Sequence, residues 1–184
     1  MLAGIDYSLT CPGIFVGSRA GFQNGKAFFF RKPKSKKNTM EGVYGDNVFA
    51  MDQPIKYNSE IERFSEISDW AIGVVKQMGV DTVVLEGYAM AARGRVFNIA
   101  ENTAILKYKL WNMGVDVHIV SPSTNKKAFS GKGNAKKEDM YEAFQHETGV
   151  DLAELLGVKS KDSPVSDIVD AYSLFRYGLD EFYL

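Results

Sequence analysis

The fold is decided by an apolar stretch near the N-terminus, Leu2-Ala3-Gly4-Ile5-Asp6, which is typical of a β-strand that ends in a carboxylate. A second stretch, Thr82-Val83-Val84-Leu85-Glu86, repeats this pattern. Carboxylates are rare at the boundary of core elements unless they are paired or bind a metal. If the two strands are parallel neighbours, Asp6 and Glu86 meet at their carboxyl ends, the edge where open α/β sheets bind ligands.

Two further acids, Asp167 and Asp170, lie one turn apart on a predicted final helix. We expect Ser163 to cap this helix and Pro164 to occupy its first position. The helix has an apolar stripe, formed by Ile168, Ala171, Tyr172 and Phe175. If this stripe docks on the sheet, it carries both carboxylates toward Asp6.

The ordered set of four acids predicts a metal centre. Crowded carboxylates raise one another's pKa unless cations compensate, and oxygen ligands suit Mg²⁺ or Mn²⁺. Two such ions about 3.5–4 Å apart support in-line phosphodiester hydrolysis. The alternative is that the acids are ordinary helix caps and surface residues, which would explain Asp167 or Asp170 taken alone.

The remaining periodicity predicts an α/β fold with a mixed five-stranded sheet. Three short strands, at residues 2–7, 14–18 and 25–30, form an antiparallel meander. Two further strands, at 82–86 and 115–120, are joined by a helical crossover and are therefore parallel. Helices are expected on both faces.

The 184 residues predict one domain, spanning residues 1–184. Residues 32–57 are rich in Lys, Gly, Asn and Pro, and we predict a basic inserted loop there, with a small hairpin as the alternative. No apolar run has membrane-spanning length, the chain enters a strand at once without room for a signal peptide, and its only cysteine is Cys11. These features predict a cytoplasmic protein with no membrane partner.

The formal net charge of −1 carries no signal for nucleic acid, but the distribution of lysines does. A first basic cluster comprises Arg31, Lys32, Lys34, Lys36 and Lys37. A second comprises Lys126, Lys127, Lys132, Lys136 and Lys137. Two basic clusters beside one acidic cluster indicate a protein that binds phosphates and cuts between them. For the first cluster, a merely solvated loop is the alternative.

Four stretches follow one another over most of the chain: Gly4-Ile5-Asp6-Tyr7-Ser8-Leu9-Thr10-Cys11-Pro12-Gly13, Val84-Leu85-Glu86-Gly87-Tyr88, the segment from Lys126 to Lys137, and Asp167-Ile168-Val169-Asp170-Ala171. In order and spacing they resemble the motifs of RuvC-type Holliday junction resolvases, particularly divergent phage-type members. The resemblance implies an RNase H-like fold, a homodimer, Mg²⁺ dependence and symmetrical nicking of four-way junctions.

Carried over by position, the resemblance implies that Asp6, Glu86, Asp167 and Asp170 are catalytic and bind two Mg²⁺ or Mn²⁺ ions per active site. It implies that Lys126 lies near the scissile phosphate and that Lys137 binds another phosphate. The chain departs from bacterial members in its basic segment at 32–57. We expect DNA contacts from both lysine clusters and from the segment after Glu86, at Lys34, Lys36, Lys37, Lys126, Lys127, Lys132, Lys136, Lys137, Arg93 and Arg95. The aromatic residue that follows the second acid does not align uniquely, so Tyr88 and Phe97 both stand as candidates.

These patterns favour a structure-selective endonuclease that nicks four-way or related branched DNA. The alternatives are a nuclease that prefers flaps or forks, and a non-catalytic binder of branched DNA on the same fold. An actin-like ATPase needs two lobes and glycine loops, which this chain lacks. The helix at about 96–113 is a dimer seam or a buried core helix, because it has an excess of apolar residues: Phe97, Ile99, Ile105, Leu106, Tyr108, Leu110 and Trp111.

Overall fold

A computed structural model of the protein describes residues 1–87 and 96–182. Within these residues, one sheet contains seven strands: β1 (Leu2–Asp6), β2 (Gly13–Gly17), β3 (Lys26–Arg31), β4 (Gly42–Tyr44), β5 (Val48–Asp52), β6 (Thr82–Glu86) and β7 (Asp116–Val120). The helices of the same residues are α1 (Glu60–Gln77), α2 (Val96–Asn112), α3 (Pro122–Ser130), α4 (Lys137–Thr148), α5 (Leu152–Leu156) and α6 (Val165–Glu181), with a 3₁₀ turn at Phe22–Asn24. No helix of the described residues is long and apolar enough to cross a membrane.

The strand order is β4-β5-β3-β2-β1-β6-β7. As predicted, β1, β2 and β3 form an antiparallel meander, and β6 and β7 are parallel to β1. The register aligns Ile5 of β1 with Leu85 of β6. Asp6 and Glu86, one residue further along each strand, therefore lie at the same edge of the sheet.

The predicted strand count of five was too low, although the predicted α/β class with an RNase H-like sheet is confirmed. The two additional strands, β4 and β5, lie in the segment at 32–57 and form the small hairpin that was the alternative to a loop. β5 pairs in parallel with β3, and the ring of Phe49 stacks on that of Phe28 with centroids 5.0 Å apart. Arg31 and Asp52 form an ion pair at 3.3 Å across the same two strands. These contacts cover a strand edge that β3 would otherwise expose.

Helices cover both faces of the sheet, as predicted. The side chains of α1 and α2 pack with one face of the sheet, where Ile5 and Ile14 are buried. The helices α4, α5 and α6 pack on the other face around an aromatic cluster centred on Tyr172. The ring of Tyr172 meets that of Phe15 edge-on at 4.9 Å, which ties α6 to β2.

The approach of α6 to the sheet is unusually close because glycines line the contact. A Cβ atom at Gly4 would overlap the carbonyl oxygen of Ala171 and the amide nitrogen of Phe175. A Cβ at Gly13 would lie 2.7 Å from the carbonyl oxygen of Asp167. The backbone of α6 thus rests directly on β1 and β2.

The start of α6 differs from the prediction by one position. The helix begins at Val165, and Pro164, not Ser163, is its N-cap, with no side-chain capping bond. The prediction was wrong because the helical hydrogen bond at this end runs from the amide of Ile168 to the carbonyl oxygen of Pro164, at 3.0 Å.

We expect Gly4→Ala to destabilise the protein by about 3 kcal/mol or more, at the upper end of overpacking costs, because backbone atoms of α6 cannot yield as a flexible side chain would. Gly73→Ala is the matched control. Gly73 lies within α1 with no atom within 4 Å of its added Cβ. This substitution should stabilise the helix by about 0.5–1 kcal/mol. Urea unfolding of both variants tests this, and a Gly4→Ala protein as stable as the wild type contradicts the packing argument.

Candidate active site

Four carboxylates meet at the edge of the sheet where β1 and β6 end. Asp6 and Glu86 are the last residues of these strands, and Asp167 and Asp170 lie in the first turns of α6. The pKa of Asp6 is raised well above its ordinary value by burial, and then by the charges of Asp167, Asp170 and Glu86. Because each of the other three acids acts on Asp6, the predicted set is brought together in space.

Each of the other acids is also hard to ionise. The pKa of Asp170 is raised to about 7, mainly by burial and then by the charges of Glu86 and Asp167. Burial also raises the pKa of Glu86 and that of Asp167. The side chains of Ser163 and Cys11, together with the charge of Lys137, partly offset the effect of burial on the pKa of Asp167.

The donor set suits divalent cations that prefer oxygen. All four groups are carboxylates, and the Oδ2 atom of Asp167 is buried without a hydrogen-bond partner. Across residues 1–87 and 96–182, no three His, Cys, Asp or Glu side chains already converge at the spacing of a finished metal site. The unpartnered Oδ2 atom of Asp167 would be available to such a cation.

Two lysines of the second basic cluster lie near the carboxylates. Lys137, at the start of α4, donates through Nζ to the hydroxyl of Ser166 at 3.0 Å. Its charge lowers the pKa of Asp6, Asp167 and Asp170, although burial outweighs it at each. Lys126 acts in the same way on Glu86 and Asp170. Positive charge therefore faces the acids from both α3 and α4.

The other predicted DNA-contacting lysines are not brought to the carboxylates. Lys132 forms an exposed ion pair with Asp139 at 3.0 Å. Lys136 is the N-cap of α4, and Lys127 is exposed in the last turn of α3.

The first basic cluster begins at Arg31, the last residue of β3, and continues on the loop between β3 and β4. Its members Lys34, Lys36 and Lys37 are exposed. Phe97, one candidate for the aromatic residue after the second acid, is 81% exposed at the start of α2. The predicted residues Tyr88, Arg93 and Arg95 lie outside the described residues.

A buried polar chain behind the site has no signal in the sequence. Asn125, one residue before Lys126, donates to the hydroxyl of Ser173 at 2.8 Å, and Ser173 donates to the carbonyl oxygen of Asp170 at 2.8 Å. Asn125 and Ser173 are both buried. The chain holds α3 against α6, so that Lys126 stays next to Asp170.

No protein-family model matches the chain, and no curated protein matches its sequence. Solved structures do match its fold. RuvC of Thermus thermophilus is 20% identical with a TM-score of 0.57, and the match covers 95% of this chain and 90% of that one. T. thermophilus RuvC in complex with a Holliday junction substrate is 22% identical with a TM-score of 0.58, over 95% and 89% of the two chains. The yeast mitochondrial Holliday junction resolvase Ydc2 is 12% identical with a TM-score of 0.51, over 99% and 81%. The chain therefore has the RuvC fold, and the resemblance drawn from the motifs is confirmed at this level.

Without divalent cations, we expect the protein to lose stability as the pH rises from about 4 to about 7. A carboxyl whose pKa is raised in the folded state, as that of Asp170 is from 3.8 to about 7, holds its proton more tightly there than in the unfolded chain. Its contribution to the free energy of unfolding is complete below the unfolded pKa of 3.8 and is lost as the pH rises through the folded pKa of about 7. A pKa raised by one unit corresponds to about 1.4 kcal/mol.

Thermal unfolding in EDTA between pH 4.5 and 8 measures this loss. Asp170→Asn should flatten the profile and raise the Tm at pH 8 above that of the wild type. Adding Mg²⁺ should raise the Tm of the wild type more at pH 8 than at pH 4.5, since ionised carboxylates bind the cation. A Tm that rises with pH over this range in EDTA contradicts the argument.

Proposed function

We propose that the protein is an endonuclease of the RuvC type that nicks four-way junctions or closely related branched DNA. The observation that carries the proposal is the meeting of four carboxylates and two lysines at one edge of a sheet with the RuvC fold. A binder without catalytic function gains nothing from burying four mutually repelling acids, which lowers the stability of the fold. Such an enzyme needs a compartment that holds DNA, and the cytoplasm is the one that the sequence predicts.

In this proposal, Asp6, Glu86, Asp167 and Asp170 hold two divalent cations, Mg²⁺ or Mn²⁺. When bound, such a pair of cations activates the attacking water and stabilises the leaving 3′ oxygen. Asp6 ends β1, and all three other acids act on its pKa. It would therefore be the central acid of the set that holds the cations. No covalent bond between protein and DNA is required.

The two lysines at the site have separable roles. Lys126 faces Glu86 and Asp170, and the buried Asn125–Ser173 chain fixes its helix, so it is suited to stabilise charge on the phosphate under attack. Lys137 faces Asp6 and Asp167 from the other side and is anchored by Ser166. It is suited to hold the phosphodiester in position.

A homodimer is the second part of the proposal, since paired nicks in a four-way junction need two sites related by a two-fold axis. The helix α2 has two apolar stripes. Leu106 and Leu110 are buried in the core, whereas Phe97, Tyr108 and Trp111 are 81%, 64% and 73% exposed. The predicted excess of apolar side chains is thus divided between the core and an open face. Exposed aromatic residues in one stripe are characteristic of an interface.

Asp6→Asn or Glu86→Gln should lower the rate of nicking by at least about 100-fold. Even the loss of a residue that only bonds to a metal ligand typically lowers metal affinity or activity by about 10–100-fold. Binding to the junction should persist, since the lysines remain. Asp162→Asn, an exposed acid just before α6, is the control and should cut normally. A labelled synthetic four-way junction with Mg²⁺ provides the assay, with flap and fork substrates alongside. Near-normal nicking by either variant refutes the site.

Trp111→Asp should weaken self-association by about thirtyfold, since a buried tryptophan at an interface is commonly worth about 2 kcal/mol. The control is Met51→Asp, which changes a side chain that is 51% exposed on β5. Sedimentation velocity at micromolar concentration, with and without a junction, measures the effect. A wild-type protein that stays monomeric in both states, yet makes paired nicks, contradicts the dimer.

A further inference from the structure

A cleft of about 500 Å³ opens beside the carboxylates, between the β3–β4 loop and the residues that precede α6. We call it the flanking cleft. Its lining includes Thr10, Cys11, Lys32, Lys34, Ile55 and Ser163. Its volume lies in the range of about 300–1,000 Å³ that is usual for sites that hold one small molecule or one building block of a polymer.

The flanking cleft is continuous with the acidic site. Ser163 and Cys11 belong to its lining, and the side chains of both partly offset the effect of burial on the pKa of Asp167. Gly13, two residues after Cys11, packs directly on the backbone of Asp167. A molecule in the cleft would therefore lie next to a proposed metal ligand, where the cleft and the acids can bind adjoining parts of one DNA strand.

The charge of the cleft is opposite to that of the site. Among the residues that the structure describes, none with an acidic side chain lines it. Arg31 also borders it, but its charge is matched by the ion pair with Asp52, and it also bonds Asn38. Within the part of the chain that the structure describes, neither Lys32 nor Lys34 has an ion pair. The uncompensated charge of these two lysines favours an anion.

The wall that carries these lysines is tied to the strand end of the site. The amide of Lys32 donates to the carbonyl oxygen of Thr10 at 2.7 Å, and the amide of Gln53 donates to that of Arg31 at 2.7 Å. The side chain of Gln53 is buried and bonds the carbonyl oxygen of Phe30 at 2.8 Å. The basic segment therefore stays in register with the residues that follow Asp6.

The geometry points to a nucleotide-binding subsite: the flanking cleft holds one nucleotide of the DNA strand next to the cleaved phosphodiester. Lys34 and Lys32 bind its phosphate, the hydroxyls of Thr10 and Ser163 bind polar atoms, and Ile55 offers an apolar surface to the sugar or base. This inference rests on the proposed nuclease function. It assigns to the inserted segment the task of holding the strand at the site.

The test combines neutral phosphates with lysine variants. Synthetic four-way junctions carry one uncharged methylphosphonate at a time, at the phosphates on either side of the cleaved one. Binding is measured over a range of salt concentrations with Ca²⁺ in place of Mg²⁺. Each phosphate contact that is lost should lower the slope of log affinity against log salt by about one.

For the wild type, we expect one flanking methylphosphonate to lower the slope. On the unmodified junction, Lys34→Ala should lower the salt slope by the same amount as that methylphosphonate does for the wild type. On the junction that carries the methylphosphonate, the slope of Lys34→Ala should fall no further. Lys34→Arg should restore the wild-type response. Lys56→Ala is the matched control, because Lys56 is exposed and adjoins Ile55 but does not line the cleft. It should respond to the methylphosphonate as the wild type does.

If every flanking methylphosphonate lowers the salt slope of Lys34→Ala as much as it lowers that of the wild type, the cleft assignment is wrong. It is also wrong if no flanking methylphosphonate changes the slope of the wild type. If the wild type nicks the unmodified junction, that failure concerns the cleft alone. A wild type that neither binds nor nicks any branched DNA refutes the proposed function, and the cleft assignment with it.

Discussion

The structure depends on one close contact, the packing of the α6 backbone on β1 and β2. Gly4 allows it, because any side chain there would overlap Ala171 and Phe175. Gly13, which pairs with Asp6 across the sheet, brings the carbonyl of Asp167 onto β2. The contact that buries the aromatic face of α6 therefore also sets the position of its two acids relative to Asp6. The candidate site follows from the way the core is packed.

This arrangement places stability and function in opposition. Burial and like charge raise the pKa values of Asp6 and Asp170, so the folded protein resists ionising the groups that it has gathered. The opposing contribution comes from the same helix. Phe15 contacts both Tyr172 and Phe175, with ring centroids 4.9 and 4.8 Å apart. A well-packed aromatic face can offset strain that a functional site imposes at the other end of a helix.

The segment at 32–57 extends the sheet without disturbing this contact. β5 pairs with the free edge of β3, which itself lies two strands away from β1. β4 completes the hairpin. The loop that leads into the hairpin brings Lys32 and Lys34 back toward Thr10. The segment thereby supplies positive charge along the flanking cleft.

The sequence by itself determined the parts of this protein that rest on local patterns. A short apolar strand that ends in an acid can be recognised at Asp6 and Glu86, and the spacing of Asp167 and Asp170 places them one turn apart on a helix. The order of the strands along the chain predicted the meander and the parallel crossover. The acids at the ends of two of these strands predicted that Asp6 and Glu86 meet.

Tertiary structure alone decided what depends on contacts between distant residues. The pairing of β5 with β3 relies on Phe28 with Phe49 and on Arg31 with Asp52, and no local periodicity in the Gly- and Lys-rich segment reveals it. Asn125 meets Ser173 only because α3 and α6 pack together. A side chain's partner across the core is set by the packing of whole elements, so propensity and spacing cannot specify it.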